Sequence, residues 1–508
     1  MNKKHKDFDL NFLKKTKIVA TCGPSITYKL FSLADLEDPS KQEIVQKAKE
    51  NLRQLFLNGV STVRLNFSHG NQEEQAVRMI LARSVANELN LPISIMLDTN
   101  GPEIRLNQIS ETDNTVKKDQ IVKIYTNREI VGNATEFSVS DSSKKYNMAK
   151  DVSLGSIVLV DDGKLTLQVI EVAEDFSYIR AIAKNEHKII TKKRINLPNA
   201  KYSIPFLSQK DYNDITFGLK NKVDYIAASF VNSVDDIYEI KAILKQYGME
   251  HVQVIAKVET RHAIKNLDEI IDVSDGVMVA RGDLGLEIPY YEVPYWEKYI
   301  IKACRFKNKR VIVATQMLDS LEKNVQPTRA EVTDVFFAVE RGCDATMLSG
   351  ETANGMYPII AVETMKKINK QSELLFDYKR AITHYFPMTD VCKTAFGERV
   401  LDIAKKICPN REIENEDFST HFLVHFTNNR EEIFALSNAK LAAGVIIVTD
   451  DQNVYTGHGV DYGVFTYKVD DLTKALSNYQ LVAKKAILHY SELFEIKPDN
   501  KTNFVLIK

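Results

Sequence analysis

The stretch VQVIAKVETRHAIKNLDEIIDVSDGVMVARGD, residues 252–283, contains the repeating unit on which the fold prediction depends. Two short apolar runs, VQVIAKVE (252–259) and GVMVA (276–280), flank a longer amphipathic stretch. Near-continuous apolar runs of this length are typical of strands that are buried on both faces of a parallel sheet. The segment therefore predicts a strand, a helical connection and a second parallel strand.

The same alternation continues in both directions along the chain. Six further apolar runs have this character: KIVAT (17–21), TVRLNF (62–67), SIMLD (94–98), YIAASF (225–230), RVIVAT (310–315) and ATMLS (345–349). Apolar residues at helical spacing predict helices at 41–57 and 234–245, and an acidic first turn after Pro327 predicts another at 329–340. Eight such repeats predict an α/β fold, a (β/α)₈ barrel, in preference to an open doubly wound sheet.

The connection between the third and fourth predicted strands is too long to be a structureless loop. Residues 107–202 contain β-like runs such as IVKIY, EFSVS, SIVLV, TLQVIEV and YIRAIA, and Asp161-Asp162-Gly163 between two of them is a hairpin signal. We predict an inserted, barrel-like β domain over 107–202. It interrupts a barrel formed by residues 1–106 and 203–375, and we expect it to act as a lid on the barrel.

A further unit is predicted after residue 375. Residues 376–508 contain the apolar runs HFLVHF (421–426), GVIIVTD (444–450), VFTYKV (464–469) and NFVLIK (503–508), with helix-like segments at 390–407 and 471–489. This pattern predicts a C-terminal α/β domain. Residues 26–40 are predicted to form an extended first loop, and the sequence assigns no role to it.

Composition excludes several classes of protein. Hydrophobic residues make up 44% and charged residues 27% of the 508 residues, which is typical of a globular chain. With 67 basic and 68 acidic residues the formal charge is −1, so generic nucleic-acid binding is not expected. We find no secretory signal and no apolar run of membrane-spanning length, and therefore expect a cytoplasmic protein without a membrane partner. Five widely spaced cysteines without C-x-x-C predict neither disulfides nor structural zinc.

Polar residues cluster at the predicted carboxyl ends of the barrel strands. Glu259 and Asp283 are carboxylates on adjacent strands and predict a site for Mg²⁺ or Mn²⁺, with ordinary ion pairing as the alternative. Lys257 shares a face with Glu259, because side chains two residues apart on a strand point the same way. From spacing alone it is a Schiff-base nucleophile, an enolate stabiliser, a phosphoryl clamp, or the partner of Glu259 in a salt bridge.

Two further sets of polar residues are also expected at the carboxyl ends of the barrel strands. Arg64, Arg105 and Arg281 would add positive charge that suits phosphate or carboxylate oxygens. Asn66, Ser68, Asp98 and Thr99 supply oxygen atoms with one formal charge, which suits a monovalent cation, and capping or turn chemistry is the equal alternative. No P-loop sequence occurs, and the Arg281-Gly282-Asp283 tripeptide lies at a strand end, which argues against an adhesion role.

These residues lie within motifs that resemble one known family. The chain is similar to pyruvate kinases, block after block and in order: KIVATCGPS (17–25), VRLNFSHG (63–70), LDTNGPEIR (97–105), IAASFV (226–231), VIAKVE (254–259), DGVMVARGDLGLEIP (275–289), VIVATQMLDS (311–320) and PTRAEVTDVFFAVERGCDATMLSGETANGMYP (327–358). The resemblance covers nearly the whole chain, and that family's architecture is a barrel with an inserted β domain and a C-terminal α/β domain.

The resemblance implies a reaction and a set of residues. The reaction is transfer of the phosphoryl group of phosphoenolpyruvate to ADP, giving pyruvate and ATP in glycolysis, with Mg²⁺ (or Mn²⁺) and K⁺ as cofactors and a homotetramer as the assembly. The implied metal ligands are Glu259 and Asp283 for Mg²⁺ and Asn66, Ser68, Asp98 and Thr99 for K⁺. The implied substrate residues are Arg64 and Lys257 at the phosphoryl group, the backbone of Ala280, Arg281 and Gly282 at the carboxylate, and Thr315 at the enolpyruvate.

The resemblance also assigns the nucleotide and the proton donor. Arg105, His69 and Lys193 would contact ADP, Asp162 would lie on the inner face of the lid, and Ser349 and Glu351 would take part in proton delivery. Glu103 is the residue type that accompanies K⁺ dependence in this family. Metal-dependent enolate lyases or aldolases, and a catalytically silent scaffold, are the rival functions.

The sequence also departs from the family pattern. Asn100 and Asn232 replace basic residues, and Arg194 and Asn199 replace glycines around N-L-P, so the lid hinge is expected to differ. In the C-terminal domain, Asn429 and Glu431 replace the Gly and Ser of a sugar-phosphate loop, while Thr427 and Arg430 remain. We therefore expect activation by fructose 1,6-bisphosphate to be weak or absent.

Overall fold

The computed structural model describes residues 12–200, 202–408, 422–497 and 504–507. Within these ranges, no helix combines the length and the apolar character that crossing a membrane requires. The strands of the described chain form two closed barrels, a two-stranded sheet and a four-stranded sheet. The predicted fold class, a (β/α)₈ barrel with an inserted β barrel and a C-terminal α/β unit, is confirmed. The residue boundaries proposed for these units stay predictions.

The first part of the barrel consists of three strands and their connections. The strands are β1 (Lys17–Thr21), β2 (Val60–Asn66) and β3 (Ser94–Asp98), and the helices are α1 (Pro24–Thr27), α2 (Ala34–Glu37), α3 (Gln42–Leu57) and α4 (Gln72–Leu89). The helix predicted at 41–57 is α3. The loop predicted over 26–40 contains the short helix α2, and the Asp35 carboxylate accepts hydrogen bonds from the N–H groups of Phe31 (2.7 Å) and Ser32 (3.0 Å) there.

The insert consists of short strands that pair antiparallel, except for the parallel pair β6–β7. They are β4 (Ile104–Leu106), β5 (Thr115–Val116), β6 (Ile121–Tyr125), β7 (Glu136–Ser140), β8 (Ile157–Val160), β9 (Leu165–Val172), β10 (Tyr178–Ala183), β11 (His187–Lys188) and β12 (Arg194–Asn196). Seven of them close into a small barrel in the order β10-β6-β7-β4-β12-β8-β9. The predicted hairpin joins β8 to β9. Its turn residues Asp161, Asp162 and Gly163 all have positive φ, a conformation that Asp and Gly tolerate better than most residues.

The second part of the large barrel resumes the strand–helix alternation. Its strands are β13 (Tyr225–Ala228), β14 (Gln253–Val258), β15 (Gly276–Ala280), β16 (Arg310–Ala314) and β17 (Ala345–Leu348). Its helices are α5 (Gln209–Lys220), α6 (Val234–Gln246), α7 (Arg261–Lys265), α8 (Leu267–Val273), α9 (Arg281–Glu287), α10 (Val293–Phe306), α11 (Arg329–Glu340), α12 (Gly350–Ala353) and α13 (Pro358–Glu373). The helix predicted at 329–340 is α11, which begins with a capping box between Thr328 and Glu331.

The eight strands close in the order β1-β17-β16-β15-β14-β13-β3-β2, and every pair is parallel. The side chains of Val19, Met96, Ile255, Met278 and Met347 pack together and fill the interior. Because all strands run the same way, their carboxyl ends open at one end of the barrel, which we call the barrel mouth.

The C-terminal unit is a parallel sheet flanked by helices. The helices are α14 (Tyr378–Arg380), α15 (Ala395–Ile407), α16 (Arg430–Asn438), α17 (Gln452–Thr456), α18 (Leu472–Ser477) and α19 (Tyr479–Leu493), and the strands are β18 (Phe422–Phe426), β19 (Gly444–Thr449), β20 (Val464–Lys468) and β21 (Phe504–Ile507). All four predicted strands are present, although residues 421, 503 and 508 of the predicted runs lie outside the described residues. The helix predicted at 390–407 begins only at Ala395, where the Thr394 side chain caps it.

The C-terminal unit packs against the barrel end opposite the mouth. Tyr225, the first residue of β13, donates its hydroxyl hydrogen bond to the carbonyl of Gly457 (2.7 Å). Arg310, the first residue of β16, pairs through Nε with Asp461 (2.6 Å), and both side chains are buried. This arrangement leaves the mouth to the inserted β barrel alone.

Candidate active site

The candidate site is built where β2, β3, β14, β15 and β16 end. Their last residues and the turns that follow carry the polar side chains predicted from the sequence, and the short strands β4 and β12 of the insert approach from the other side. The site therefore lies between the barrel mouth and the insert, which we call the lid.

Lys257 lies at the centre of the site. Its Nζ is 3.0 Å from Oδ1 of Asp98, 3.0 Å from Oε1 of Glu259, and donates a hydrogen bond to Oγ of Ser229 (2.7 Å). All four residues are at least nine-tenths buried. Burial disfavours the charged amine, but Asp98 and Glu259 outweigh it and raise the pKa of Lys257 above its ordinary value. The side chain is therefore a fixed ammonium ion, and the salt bridge to Glu259, one of the four interpretations of the sequence, is present.

The Glu259 carboxylate lies next to Lys257 in the same buried site. Its Oε2 accepts the N–H of Phe230 (2.7 Å), whereas Oε1 lies 3.0 Å from Nζ of Lys257 and has no other partner among the described residues. Burial, opposed by Lys257 and reinforced by Asp283 and Asp98, raises the pKa of the Glu259 carboxyl. Burial is the main cause for Glu259, but Asp98 and Asp283 also raise the pKa of both groups, and the same carboxylates would stabilise an added cation.

The donor set fits a divalent cation at Glu259 and Asp283. Both offer carboxylate oxygens, one of which is buried with only Lys257 beside it among the described residues, and hard oxygen ligands are those that Mg²⁺ and Mn²⁺ prefer. The described residues contain no group of three or more His, Cys, Asp or Glu side chains arranged to hold a metal ion. A cation at this site would therefore take its remaining ligands from water or substrate oxygens, as Mg²⁺ commonly does at phosphate sites.

Arg64 adds a second buried cation at the end of β2. Its Nε donates to Oδ2 of Asp98 (2.6 Å) and its Nη1 donates to Oγ1 of Thr21 (2.8 Å). Burial raises the pKa of Asp98, but Arg64 and Lys257 outweigh it, so the carboxyl pKa lies below its ordinary value. Thr21, at the end of β1, is a positioning contact that the sequence analysis missed, because a threonine at a strand end carries no signal of its own.

The four oxygen-bearing residues predicted for a monovalent cation lie together at the ends of β2 and β3. The Oδ1 of Asn66 accepts the N–H of Ser68 (3.0 Å), which is the turn chemistry given as the alternative. The carbonyl of Thr99 accepts from Oγ of Ser229 (2.7 Å), and Asp98 is engaged by Arg64 and Lys257. The Asn66 turn is thus present, and the role of the four residues as ligands of a monovalent cation stays a prediction.

The turn after β16 adopts a strained conformation. Thr315 has φ of 68°, which is rare for a β-branched residue, and it is held there by hydrogen bonds. Its Oγ1 accepts the N–H of Gly282 (2.7 Å) and donates to the carbonyl of Ala314 (2.6 Å). A Cβ on Gly282 would lie 3.4 Å from the Thr315 hydroxyl, an ordinary contact distance, so the two segments are joined by this hydrogen bond rather than by a steric need for glycine.

The Arg281 side chain points away from Lys257. Its Nη1 pairs with Glu297 (3.1 Å) and Asp334 (2.7 Å), and its Nη2 donates to the carbonyl of Thr315 (2.8 Å). The sequence analysis expected this charge at the mouth together with Arg64 and Arg105. The contacts show instead that the guanidinium is neutralised by helices α10 and α11 and supports the strained turn, which only the fold could reveal.

Ser349 and Glu351 follow β17. The buried Glu351 carboxylate accepts the N–H groups of Leu318 (3.0 Å) and Ser349 (2.7 Å), and burial raises its pKa. The Ser349 hydroxyl is buried and has no hydrogen-bond partner among the described residues. Glu351 therefore joins the ends of two strands, and the Ser349 hydroxyl is the group of the two that is left to interact with a ligand.

The nucleotide residues predicted on the lid are only partly brought together. Lys193 pairs with Asp161 (2.8 Å), and Nε2 of His187 is 3.0 Å from the same carboxylate. Asp161 is buried, whereas the predicted Asp162 is exposed. His69 is exposed at the mouth after β2. The sequence did not reveal which of two adjacent aspartates in the hairpin turn pairs with Lys193 and His187, because both have the same turn preference; the role of Asp162 at the nucleotide stays a prediction.

Glu103 and Arg194 join the lid to the mouth. Glu103, which is buried, accepts from Nη2 (2.5 Å) and Nε (3.0 Å) of Arg105 and from Nη2 of Arg194 (2.6 Å). Nη1 of Arg194 donates to Oδ1 of Asp283 on the barrel side. Burial disfavours the charge on Arg194, but Asp283 and Glu103 outweigh it and raise the pKa of the guanidinium. The sequence had marked position 194 only as a departure near a hinge.

Comparisons with known proteins agree with this geometry. The family model described as "PK: Pyruvate kinase, barrel domain" matches residues 13–362. The chain is 55% identical over 490 residues to a pyruvate kinase of Mycoplasma pneumoniae, and the match covers 96% of each of the two chains. It is 54% identical over 484 residues to a pyruvate kinase of Mycoplasma genitalium, and that match covers 95% of each chain. Among solved structures it resembles a pyruvate kinase from Cryptosporidium parvum, with a TM-score of 0.82 and 30% identity over 97% of this chain and 94% of that chain.

Proposed function

Because this chain belongs to the pyruvate kinase family of phosphotransferases, we propose that it transfers the phosphoryl group of phosphoenolpyruvate to ADP, giving pyruvate and ATP in glycolysis. The proposal includes a dependence on Mg²⁺ (or Mn²⁺) and on K⁺. The observation that carries it is the Lys257 ammonium held between Asp98 and Glu259 beside Arg64. Phosphoryl transfer requires positioned positive charge more than covalent help, and this site supplies it.

The chain's own residues account for the transfer step. Lys257 and Arg64 stabilise the negative charge on the oxygens of the transferred group, in a site from which most water is excluded by burial. Neither cation moves to do so, because carboxylates and Ser229 already fix both. A divalent cation bound by Glu259 and Asp283 would supply further neutralisation of the phosphoryl oxygens. K⁺ bound by Asn66, Ser68, Asp98 and Thr99 would add a monovalent charge on the other side.

The leaving group is an enolate, which must be protonated at carbon to give pyruvate. The Thr315 hydroxyl is oriented by Gly282 and Ala314, and the Ser349 hydroxyl lacks a partner among the described residues. We assign proton delivery to these hydroxyls or to a water that they bind, with Glu351 as the residue that positions Ser349. Arg105, His69, Lys193 and Asp162 are proposed to contact ADP, and the backbone of Ala280, Arg281 and Gly282 to contact the substrate carboxylate.

The geometry disfavours one rival mechanism directly. An aldolase that forms a Schiff base needs an amine whose pKa is lowered, so that a neutral nucleophile is present. The pKa of Lys257 is raised by two carboxylates. A coupled lactate dehydrogenase assay separates the remaining rivals, because a metal-dependent lyase would not require ADP and a silent scaffold would produce no pyruvate.

Cation dependence provides a direct test of the proposed function. We expect pyruvate formation to require both Mg²⁺ and K⁺, and omission of K⁺ to lower kcat by about a hundredfold. A fixed charge about 6 Å from the reacting group is worth about 3 kcal/mol at an effective dielectric constant of about 20. The measurement is the coupled assay with K⁺ replaced by tetramethylammonium at constant ionic strength. Equal activity in the two buffers would contradict the K⁺ proposal and leave the phosphotransferase assignment intact.

The effector loop supports a second proposal. Arg430 donates to the carbonyl of His251 (2.5 Å) on the barrel and to that of Asn453 (3.0 Å). The Asn429 side chain accepts the N–H of Glu431 (2.9 Å) at the start of α16. The retained loop side chains are therefore both engaged by the protein itself, since Oγ1 of Thr427 also donates to Glu432 (2.7 Å), and the Glu431 carboxylate would repel a sugar phosphate.

Fructose 1,6-bisphosphate is accordingly expected to have little effect. We expect it to change the half-saturating concentration of phosphoenolpyruvate by less than about twofold, against the roughly 5- to 150-fold range of typical allosteric coupling. The measurement is a phosphoenolpyruvate titration with and without fructose 1,6-bisphosphate at about 1 mM, because a concentration of roughly that order saturates most small-molecule sites. A sharp, saturable fall in the phosphoenolpyruvate requirement would refute the expectation.

We also propose a cytoplasmic homotetramer, on the basis of the family. The exposed segment before and within α10 supports self-association, because Tyr290, Tyr291 and Tyr295 are 80%, 71% and 63% exposed. Aromatic residues are enriched at protein interfaces and depleted on free surfaces. Light scattering coupled to size-exclusion chromatography measures the assembly directly, and a mass near that of the 57.7 kDa monomer would exclude it.

A further inference from the structure

The lid contacts the proposed divalent-cation site through one side chain. Arg194 lies on β12, which pairs with β4 at Arg105 and with β8 at Val160 through its neighbour Ile195. From there its guanidinium crosses to Asp283, the first-turn residue of α9 on the barrel. Among the described residues, Arg194 is the partner of the Asp283 side chain in both its hydrogen bond and its ion pair.

The guanidinium is held by three groups at once. Nη2 donates to Glu103 (2.6 Å), Nη1 donates to Asp283, and the guanidinium carbon lies 5.6 Å from the centre of the Phe230 ring. Phe230 also donates its N–H to Glu259, the other carboxylate of the cation site. A planar fork with several donors matches this arrangement, and an ammonium could not contact both carboxylates in the same way.

We propose that Arg194 is a latch that competes with the divalent cation for Asp283, so that cation binding and the lid position shown here oppose each other. A guanidinium and a divalent cation on the same carboxylate oxygen would repel each other at close range. Because Nη1 of Arg194 occupies Oδ1 of Asp283, a cation that binds this oxygen must displace Arg194, and the fraction of molecules in which Arg194 has left Asp283 then sets the apparent affinity. The inference rests on the proposed function, because it takes Asp283 as a cation ligand.

The latch is not the sole contact between lid and barrel. Glu287, the last residue of α9, is buried and interacts with the Asn199 backbone and the Tyr202 hydroxyl, and burial raises its pKa to about 8. A side chain on Gly163, at the tip of the lid hairpin, would meet Leu286 at 3.1 Å. Release of Arg194 therefore loosens the lid edge at β12 and leaves it attached through α9.

The test uses Arg194→Gln, which keeps a polar side chain and removes the charge. Mn²⁺ binding to the full-length protein, without substrates, is measured from the electron paramagnetic resonance signal of free Mn²⁺. We expect the apparent dissociation constant to fall by about three- to tenfold, the inverse of the fraction of unlatched molecules. Arg194→Lys is expected to lie between wild type and Arg194→Gln. Arg180→Gln, which removes a lid arginine paired with Glu171 on the lid surface, is the matched control and is expected to match wild type.

Hydrogen exchange of the same proteins reports the lid position. We expect the amides of β12 and of residues 197–200 to exchange several-fold faster in Arg194→Gln, and in wild type once Mn²⁺ is added, as local contacts are lost. The amides of β14 and β15 should be unchanged, which shows that the variant is folded. The latch would be overturned if Arg194→Gln bound Mn²⁺ as tightly as wild type or more weakly. It would also be overturned if hydrogen exchange in the lid were the same in Arg194→Gln as in wild type.

The variant Glu259→Gln separates failure of the latch from failure of the proposed function. If Glu259→Gln does not weaken Mn²⁺ binding, the cation site itself lies elsewhere, and the competition is overturned together with that part of the proposed function. If Glu259→Gln weakens binding while Arg194→Gln leaves it unchanged, the cation site stands and the latch alone is overturned.

Discussion

The variant Lys257→Met is expected to lower kcat by about a thousandfold while leaving Mn²⁺ binding intact. Removing one preorganised charge or donor from a desolvated site costs about 3 to 4 kcal/mol, and each 1.36 kcal/mol is a factor of ten in rate. Lys257 is 7% exposed, and Arg64 cannot replace it because Asp98 and Thr21 fix its guanidinium. The coupled lactate dehydrogenase assay measures kcat at saturating phosphoenolpyruvate and ADP.

Mn²⁺ binding distinguishes a role in transfer from a role in assembling the site. Loss of the ammonium frees Oε1 of Glu259, so the cation is expected to bind at least as tightly as in wild type. Lys47→Met is the matched control, because Lys47 forms an i,i+4 pair with Glu43 on α3 and is 60% exposed in its side chain. Its kcat is expected to stay within about twofold of wild type, since surface pairs contribute about 0 to 1 kcal/mol. Near-normal kcat in Lys257→Met would refute the phosphoryl-clamp role.

The variant Asp461→Ala is expected to lower the free energy of unfolding by about 3 to 5 kcal/mol, because it leaves a buried charge without its partner. Asp461 is fully buried beneath the barrel, where Oδ1 pairs with Nε of Arg310 (2.6 Å) and Oδ2 with Nδ1 of His458 (2.7 Å). The pair joins β16 to the C-terminal unit, so the loss destabilises the contact between the two. Urea unfolding monitored by circular dichroism measures it.

Two comparison variants make this result specific. Asp390→Ala removes an exposed carboxylate paired with Lys393 and is expected to change the free energy of unfolding by less than about 0.5 kcal/mol. The double variant Asp461→Ala with Arg310→Met is expected to recover part of the loss, because no charge remains uncompensated. A single variant as stable as wild type would show that the buried pair does not hold the two units together.

The Asp461 carboxylate also predicts that the free energy of unfolding falls at acid pH. Burial raises the pKa of Asp461, but Arg310 and His458 outweigh it and hold the folded-state pKa far below the unfolded value of about 3.9. The stabilisation is therefore present above about pH 4 and is lost as pH falls towards the folded-state pKa. Wild type is therefore expected to lose more stability than Asp461→Ala when the pH is lowered from about 5 to about 3, a range that brackets the unfolded-state pKa. The measurement is the difference between the urea midpoints of each protein at the two pH values.

The pattern of apolar runs was enough to predict the barrel and to place a set of polar residues at its mouth. Near-continuous apolar runs can be buried on both faces only within a covered parallel sheet, and eight of them with helical connections leave few alternatives. Since the carboxyl ends of parallel strands meet at one end, placing Arg64, Asp98, Lys257 and Glu259 at strand ends was sufficient to predict that they meet. The structure brings these four together.

The tertiary structure alone decided which charges pair. Arg281 was expected to add its charge at the mouth with Arg64 and Arg105 but is neutralised by Glu297 and Asp334, and Asp161 rather than Asp162 pairs with Lys193 on the lid. Arg194, a mere departure from pattern in the sequence, joins the lid to Asp283. Strand periodicity fixes the face on which a residue lies, but after a strand ends, the direction of a side chain depends on turn dihedrals and on segments far away in the chain, which no local pattern encodes.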